Sequence, residues 1–457
     1  MAWVETSLGV WRRPLGENES LIRRFGMLGH RCCREHWSLN ISASFTTNKH
    51  WKGEIEARLR QGWVALRFQH PSIATTVLNG DGEDKLEYRT GSAEIVDEWA
   101  NATFFIVDQD LSVDDSAATL TLTDAVTLSY FPRSAEILLH TPHWRTDGPG
   151  GLQLLNAFFA AVASSGAGSS LALPWGEEHA RLAPSIEEAL NLPTDETPEI
   201  KASVQEIVGK VAKMGPGVGI QGRLDAPAAT APGATRNARL RLSTSQTSLL
   251  IEACQRQDIH IIAAVHASVA AINHLNASPE TKNLPYKSTL RFSLRPYLPS
   301  PYNTPAYASA LYTSGVIFSI PASDSWSSTA KQYHEQYHAG LSKDFVLARR
   351  HYARFMLNFL SQVGRPPGPP PSEIDVSTVE EVDQLVASTH SGEDGGVEVS
   401  RVSIGIETVT RQSYVFFWVY QGQLEFNLVY NEAFYDAQFM DDLVGRLPEI
   451  LQAGLQI

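Results

Sequence analysis

The chain has 457 residues, with 37 Lys+Arg set against 50 Asp+Glu, for a formal charge of −13. That acidity argues against a general nucleic-acid binder, because a phosphate backbone must be met by a surplus of basic side chains. With 43% hydrophobic and 19% charged residues the composition is globular, and the length implies two lobes rather than one oversized core.

The three cysteines, Cys32, Cys33 and Cys254, support neither a disulfide framework nor a cysteine-based zinc site. No secretory signal is legible in MAWVETSLGVWRRPLGENES, and no apolar run is long enough to span a bilayer, so a soluble, cytoplasmic protein without membrane partners is expected. On that expectation the Asn-x-Ser/Thr triplets at Asn18, Asn40, Asn101 and Asn276 go unused.

In chain order, the β-rich runs WVALRF, AEIVDEW, TFFIVD, AVTLSYF and AEILLH, all within residues 60–145, read as strands of a mixed sheet. GGLQLLNAFFAAVASSG (150–166) has helical spacing of apolar residues. Residues 214–237 are rich in Gly, Pro and Ala and carry little periodic signal, marking a crossover. Two halves are thus expected. The second lobe opens with a strand, a helix capped near Ser243 and a helix of small apolar residues, followed by the strand STLRFSLR. Helices follow near 325–340 and 343–362, then a polyproline-like RPPGPPP (365–371) and a mobile loop at 389–396. Three strands, VSRVSIGIE, SYVFFWVYQ and QLEFNLVYN, precede a closing amphipathic helix.

Chemistry concentrates at HTPHWRTDGPG (140–150), between the strand AEILLH and the helix that follows. His143, Asp147 and Gly148 form His-x-x-x-Asp-Gly at a strand exit, where a loop can hold an imidazole in a cleft and glycine permits close approach. Histidine titrates near neutrality, so it can take a proton from a hydroxyl and return it to a leaving group. A purely structural pattern, with Asp147 capping the helix, remains open at this point. His140 ends a strand and falls on the opposite face from His143, which suits a supporting role.

HWRTDG resembles the signature of the CoA-dependent acyltransferase superfamily: BAHD plant acyltransferases, chloramphenicol acetyltransferase and peptide-synthetase condensation domains. LPWGEEHARLAPSIEEAL (173–190), LRFSLRPYLP (290–299) and YNEAFYDAQFMDDLV (430–444) are similar to the fungal trichothecene acetyltransferase group, in the same order. The resemblance implies an α/β fold of two similar chloramphenicol-acetyltransferase-like lobes, each a mixed sheet with helices, with a tunnel between them, divided as an N-terminal lobe 1–200, a linker 201–237 and a C-terminal lobe 238–457. It makes His143 the base, gives Asp147 a largely structural role beside it, and pairs Asp147 with Arg295. Strand alternation places Arg291, Ser293 and Arg295 on one face of their strand. The superfamily's C-terminal Asp-Phe-Gly-Trp-Gly motif is reduced here to RVSIGIE, with Gly405 kept and Arg401 in the aspartate's place. The implied donor is acetyl-CoA, and the acceptor a small alcohol such as a terpenoid, alkaloid or polyketide. A monomer is expected. The alternative is the same fold acting as a CoA-independent cyclase, lyase or condensing enzyme.

Residues 236–295 carry eight basic against three acidic residues, a local surplus that a phosphate-bearing ligand would need, and Lys287 and Arg291 are the candidates for holding it. Trp418, Tyr420 and Tyr430 are candidates for lining a large apolar acceptor pocket, with plain core packing as the default. No metal is expected. His334-Glu335-Gln336-Tyr337-His338 has zincin spacing, but a third ligand is missing, with Leu341 and Asp344 where the longer motif needs Gly and His. Gly215–Gly219 lacks the lysine-serine ending of a phosphate loop, and Cys254 reads as a core thiol.

Overall fold

A computed structural model describes residues 2–47, 51, 53–80, 83–164, 173–223, 230–362 and 370–457. It contains two compact units, and each is discontinuous in sequence. The first gathers Met1–Thr194, Ser293–Thr313 and Glu381–Ile406; the second gathers Asp195–Phe292, Ser314–Glu380 and Glu407–Ile457. The units therefore differ from the contiguous lobes that the resemblance implied, because the first unit takes two segments from the C-terminal half. One does so by strand pairing, as Gly395–Ile406 runs antiparallel to Leu39–Thr47 from Val397 opposite Thr47 to Ile406 opposite Leu39. The 201–237 linker is partly regular: the helix Pro198–Lys213 fills its start and the strand Thr235–Arg241 takes its last residues.

In the first unit, Leu39–Thr47 buries Leu39, Ile41, Ala43 and Phe45 at alternate positions, as period-two geometry requires. The helix Gly148–Ser164 packs on that face, with Phe159 and Phe45 at 5.4 Å between ring centroids. Gly151 lies so close to Ile41 that an added Cβ would sit 2.2 Å from its Cδ1. Glu136–Thr141 is the antiparallel neighbour of Leu39–Thr47 in the six-stranded sheet, and this strand leads into the His143 loop.

Two runs expected as strands are helices. WVALRF lies within Ile55–Gln69, which buries Leu59, Gly62, Trp63 and Leu66 at helical spacing. AEIVDEW begins Ala93–Thr103, capped by the Ser92 hydroxyl and buried at Val96, Ala100 and Thr103. A third expectation also changes: 389–396 is no mobile loop, because Thr389–Gly392 pairs back onto Gly395–Ile406. Residues 365–369 of the proline-rich run lie outside the described residues.

The second unit has a sheet in the order Ile374–Thr378, Ser413–Tyr420, Gln423–Asn431, Thr235–Arg241, with the first pair parallel and the others antiparallel. Its core is closed by the helices Ile261–Leu275 and Ala437–Leu455. Among the described residues no single helix is long and apolar enough to cross a membrane.

Four buried imidazoles make the fold acid-sensitive. Burial lowers His36 and His266 from the ordinary 6.5 to about 3, and His70 and His140 to about 4. The unfolded chain therefore binds protons first as the pH falls below 6.5, so stability is full above that value and lost toward pH 4. On the order of 2 kcal/mol is lost per imidazole by pH 5. The urea unfolding midpoint is expected to fall steadily from pH 7 to pH 5, and a flat profile would count against these imidazoles being buried and neutral.

Candidate active site

The strand Glu136–Thr141 ends where Pro142, which has no N–H to continue a ladder, turns the chain. His143–Arg145 then form a single 3-10 turn, Thr146 returns to an extended conformation, and the helix begins at Gly148. Two side chains pin this loop. Arg145 donates to the carbonyls of Asp124 and Thr75 and, at 2.7 Å, to the Thr75 hydroxyl. Its guanidinium also lies over the Trp144 ring at 4.5 Å, and burial brings its pKa down to about 10. Thr146 donates its hydroxyl to the Ala308 carbonyl at 2.7 Å.

His143 is half-buried, and its Nδ1 lies 3.0 Å from the Thr146 carbonyl oxygen. A carbonyl only accepts, so Nδ1 carries the hydrogen and Nε2 carries the basic lone pair. Asp147 takes no part in this bond. Its Oδ1 accepts from the Gly150 amide at 2.9 Å and from Arg295 Nη1 at 2.7 Å, while Oδ2 accepts from the Tyr312 amide at 2.8 Å. With only 2% of its side chain exposed, it is a buried tie rather than a proton relay.

The pairing of Asp147 with Arg295 implied by the resemblance is present, but it is reached differently from the strand alternation. The strand Tyr286–Ser293 stops short, and Arg295 opens a 3-10 turn, Arg295–Tyr297, whose change of direction carries the guanidinium to Asp147. Close approach within the motif is evident at the buried Gly150. A Cβ on Gly150 would meet the Ala308 carbonyl at 2.3 Å and the Thr146 hydroxyl at 2.4 Å. Sequence reasoning missed Thr146, Gly150, Ala308 and Tyr312. Ala308 and Tyr312 act through backbone atoms and leave no side-chain signature, whereas the small residues around Asp147 were a readable sign of crowding.

The structure thus gathers His143, Asp147, Gly148 and Arg295 in the first unit. Lys287, Trp418, Tyr420 and Tyr430 belong to the second, as does Arg291, whose expected ligand role needs correcting. Arg291 donates to Asp375 at 2.9 Å and to the carbonyls of Val376 and Thr289. Burial works against its charge, but Asp375 holds its pKa above the ordinary value. A guanidinium so engaged is a poor phosphate ligand. The Lys287 ammonium donates to the Gly215 carbonyl. The basic surplus of 236–295 is answered by acids from distant sequence: Glu432 beside Arg236, Glu425 beside Arg239 and Arg241, Asp375 beside Arg291 and Asp147 beside Arg295.

The aromatic trio divides by strand parity. Tyr430 joins the hydrophobic core with Phe417 and Phe426, where burial pushes its phenol up to about 12. Trp418 and Tyr420 point from the opposite face, Trp418 directly across from Glu425. Tyr430 therefore cannot share a pocket wall with Trp418. The second unit also has a cavity of about 450 Å³ lined by residues including Gln221, Arg223, Leu275, Asn276, Tyr435 and Phe439, with none of the expected site residues among its lining.

His140 Nδ1 donates to Asn40 Oδ1 at 2.8 Å within the sheet. His334 and His338 stack nearly parallel, with centroids 6.0 Å apart, and His334 Nδ1 accepts from the His260 amide. Among the described residues no group of three or more His, Cys, Asp or Glu side chains is placed to hold a metal ion.

The two units have the mixed α/β fold of condensation-domain-like acyltransferases, and the chain belongs to the family of fungal acetyltransferases that includes pigO. It is 44% identical over 459 residues to acetyltransferase pigO of Monascus ruber, covering 100% of this chain and 99% of the relative. The O-acetyltransferase pigM of the same fungus is 25% identical over 460 residues, covering 100% and 88%. Among solved structures, the TRI3 trichothecene 15-O-acetyltransferase from Fusarium sporotrichioides superposes with a TM-score of 0.81 at 16% identity, covering 99% of this chain and 97% of that one. No protein-family model matches the chain.

Proposed function

We propose that this enzyme transfers an acetyl group from acetyl-CoA to a hydroxyl of a fungal secondary metabolite, with His143 as the base. The observation that carries this reading is the Nδ1 bond to the Thr146 carbonyl, which leaves Nε2 as the proton acceptor while Asp147 is committed elsewhere. Nε2 takes the proton of the acceptor hydroxyl as its oxygen attacks the thioester carbonyl. The tetrahedral intermediate collapses, the C–S bond breaks, and the imidazolium returns the proton to the departing thiolate. The products are the acetate ester and free CoA. Transfer by pigM, an O-acetyltransferase by name, and by the 15-O-acetyltransferase of Fusarium supports a hydroxyl acceptor. The bond of Arg291 to Asp375 argues against it as a ligand for the phosphates of CoA.

Labelled acetyl-CoA supplied with hydroxylated polyketide, terpenoid and alkaloid acceptors tests the reading. Label is expected in an ester, with one free thiol released per turnover, together with micromolar acetyl-CoA binding by calorimetry. Product formed without label, or no acetyl-CoA binding, would replace it with a CoA-independent reaction.

A further inference from the structure

Away from the acyl-transfer chemistry, the turn that follows the helix Glu17–Gly26 carries two adjacent thiols. Cys32 ends the 3-10 helix Met27–Cys32, and Cys33 follows in the left-handed conformation, φ 55 and ψ 36. Both are exposed. Their backbone is held in place: the Cys33 amide donates to the His30 carbonyl at 3.0 Å, the Cys33 carbonyl accepts from the Leu122 amide at 2.7 Å, and Arg34 donates to the Gly29 carbonyl. His30 and the buried Glu35 pair at 2.5 Å across the same turn. Cys254 differs: it is buried, and burial pushes its pKa up to about 11.

We propose that Cys32 and Cys33 form a reversible modification site, oxidised together to a disulfide by hydrogen peroxide. One thiol sulfur attacks the peroxide and breaks the O–O bond, giving a sulfenic acid and water. The neighbouring thiol then displaces the sulfenic oxygen as a second water and forms the S–S bond. Two thiols and one peroxide give one disulfide and two waters, the sulfurs oxidised and the peroxide oxygens reduced. Adjacent Cα atoms lie about 3.8 Å apart, below the roughly 4.4 Å minimum of relaxed disulfides. The ring is strained, and reduction by an external thiol reverses it.

That strain falls on the peptide of Cys33 and reaches the histidine loop through backbone contacts within the first unit. Leu122 donates to the Cys33 carbonyl, and two residues on, the Asp124 carbonyl accepts from Arg145 Nε. The helix Glu17–Gly26, continuous with the cysteine turn, packs against the turn His143–Arg145. Oxidation therefore loosens the anchor of Arg145.

The test uses the reduced full-length chain and a small excess of hydrogen peroxide, with readouts that do not depend on acyl transfer. Two thiols are expected to titrate in the native protein before treatment and none after, with Cys254 appearing only on denaturation. The tryptic fragment Cys32–Arg34 should become lighter by two hydrogens and recover its mass with dithiothreitol. Hydrogen exchange at Leu122 and across 143–148 should quicken about fivefold, the scale of one lost hydrogen bond. Cys32→Ser should show neither the mass loss nor the faster exchange. A wild-type fragment that gains oxygen or stays unreacted overturns the site. A disulfide that forms with exchange unchanged at both segments overturns the link to the histidine loop.

Discussion

His143→Ala is expected to lower kcat for acyl transfer by at least about a hundredfold, the scale of losing a general base, while the fold persists. No neighbour can take over. The Asp147 carboxylate is filled by three donors, the Thr146 hydroxyl is committed to the Ala308 carbonyl, and Arg145 is spent on Thr75 and Asp124. The ring's bond to the Thr146 carbonyl contributes only about 1 kcal/mol to stability, so the thermal midpoint should barely move. Steady-state kinetics beside a melting curve separate the two effects. Turnover kept within a few-fold of wild type would remove His143 from the chemistry.

Arg295→Met should destabilise the first unit by about 3–5 kcal/mol, because it strands a buried carboxylate. Asp147→Ala should be at least as damaging. It leaves the guanidinium of Arg295 buried, with Nε and Nη2 already lacking hydrogen-bond partners among the described residues, and it also strips the Gly150 and Tyr312 amides of their acceptor. Both variants should lower kcat beyond what unfolding explains, since the aspartate fixes the residues that follow His143. Urea unfolding with activity measured in the native baseline checks this. An Arg295→Met protein within about 1 kcal/mol of wild type would show that the pair is not the tie that sets the loop.

The α/β class, the histidine loop and several of the longer helices were legible because each has a strong local signature, whereas the helices Ile55–Gln69 and Pro198–Lys213 were not. The strand AEILLH, the Pro142 turn and the glycine-led helix are readable in order, and Ser243 announces its helix with the capping box that the structure shows. Short aromatic and β-branched runs misled: WVALRF and AEIVDEW span too few residues to reveal the helical spacing that Leu59, Trp63 and Leu66, or Val96 and Ala100, display over a longer stretch. The cationic stretch at 236–295 is reduced in space, because five of its arginines face carboxylates from distant sequence, among them Glu432, Glu425, Asp375 and Asp147. Arg295 was correctly linked to Asp147 but placed in a strand that ends at Ser293.

The first unit closes only with material encoded on both sides of the midpoint. Asp147 is tied to Arg295 and Tyr312, and the strand Leu39–Thr47 to Gly395–Ile406, so the chain is woven rather than built from two separable modules. Recombining relatives by a crossover in the 201–237 linker would therefore swap the histidine's supports along with the C-terminal sequence. Diversification within such a lineage has to proceed by point changes around a shared weave.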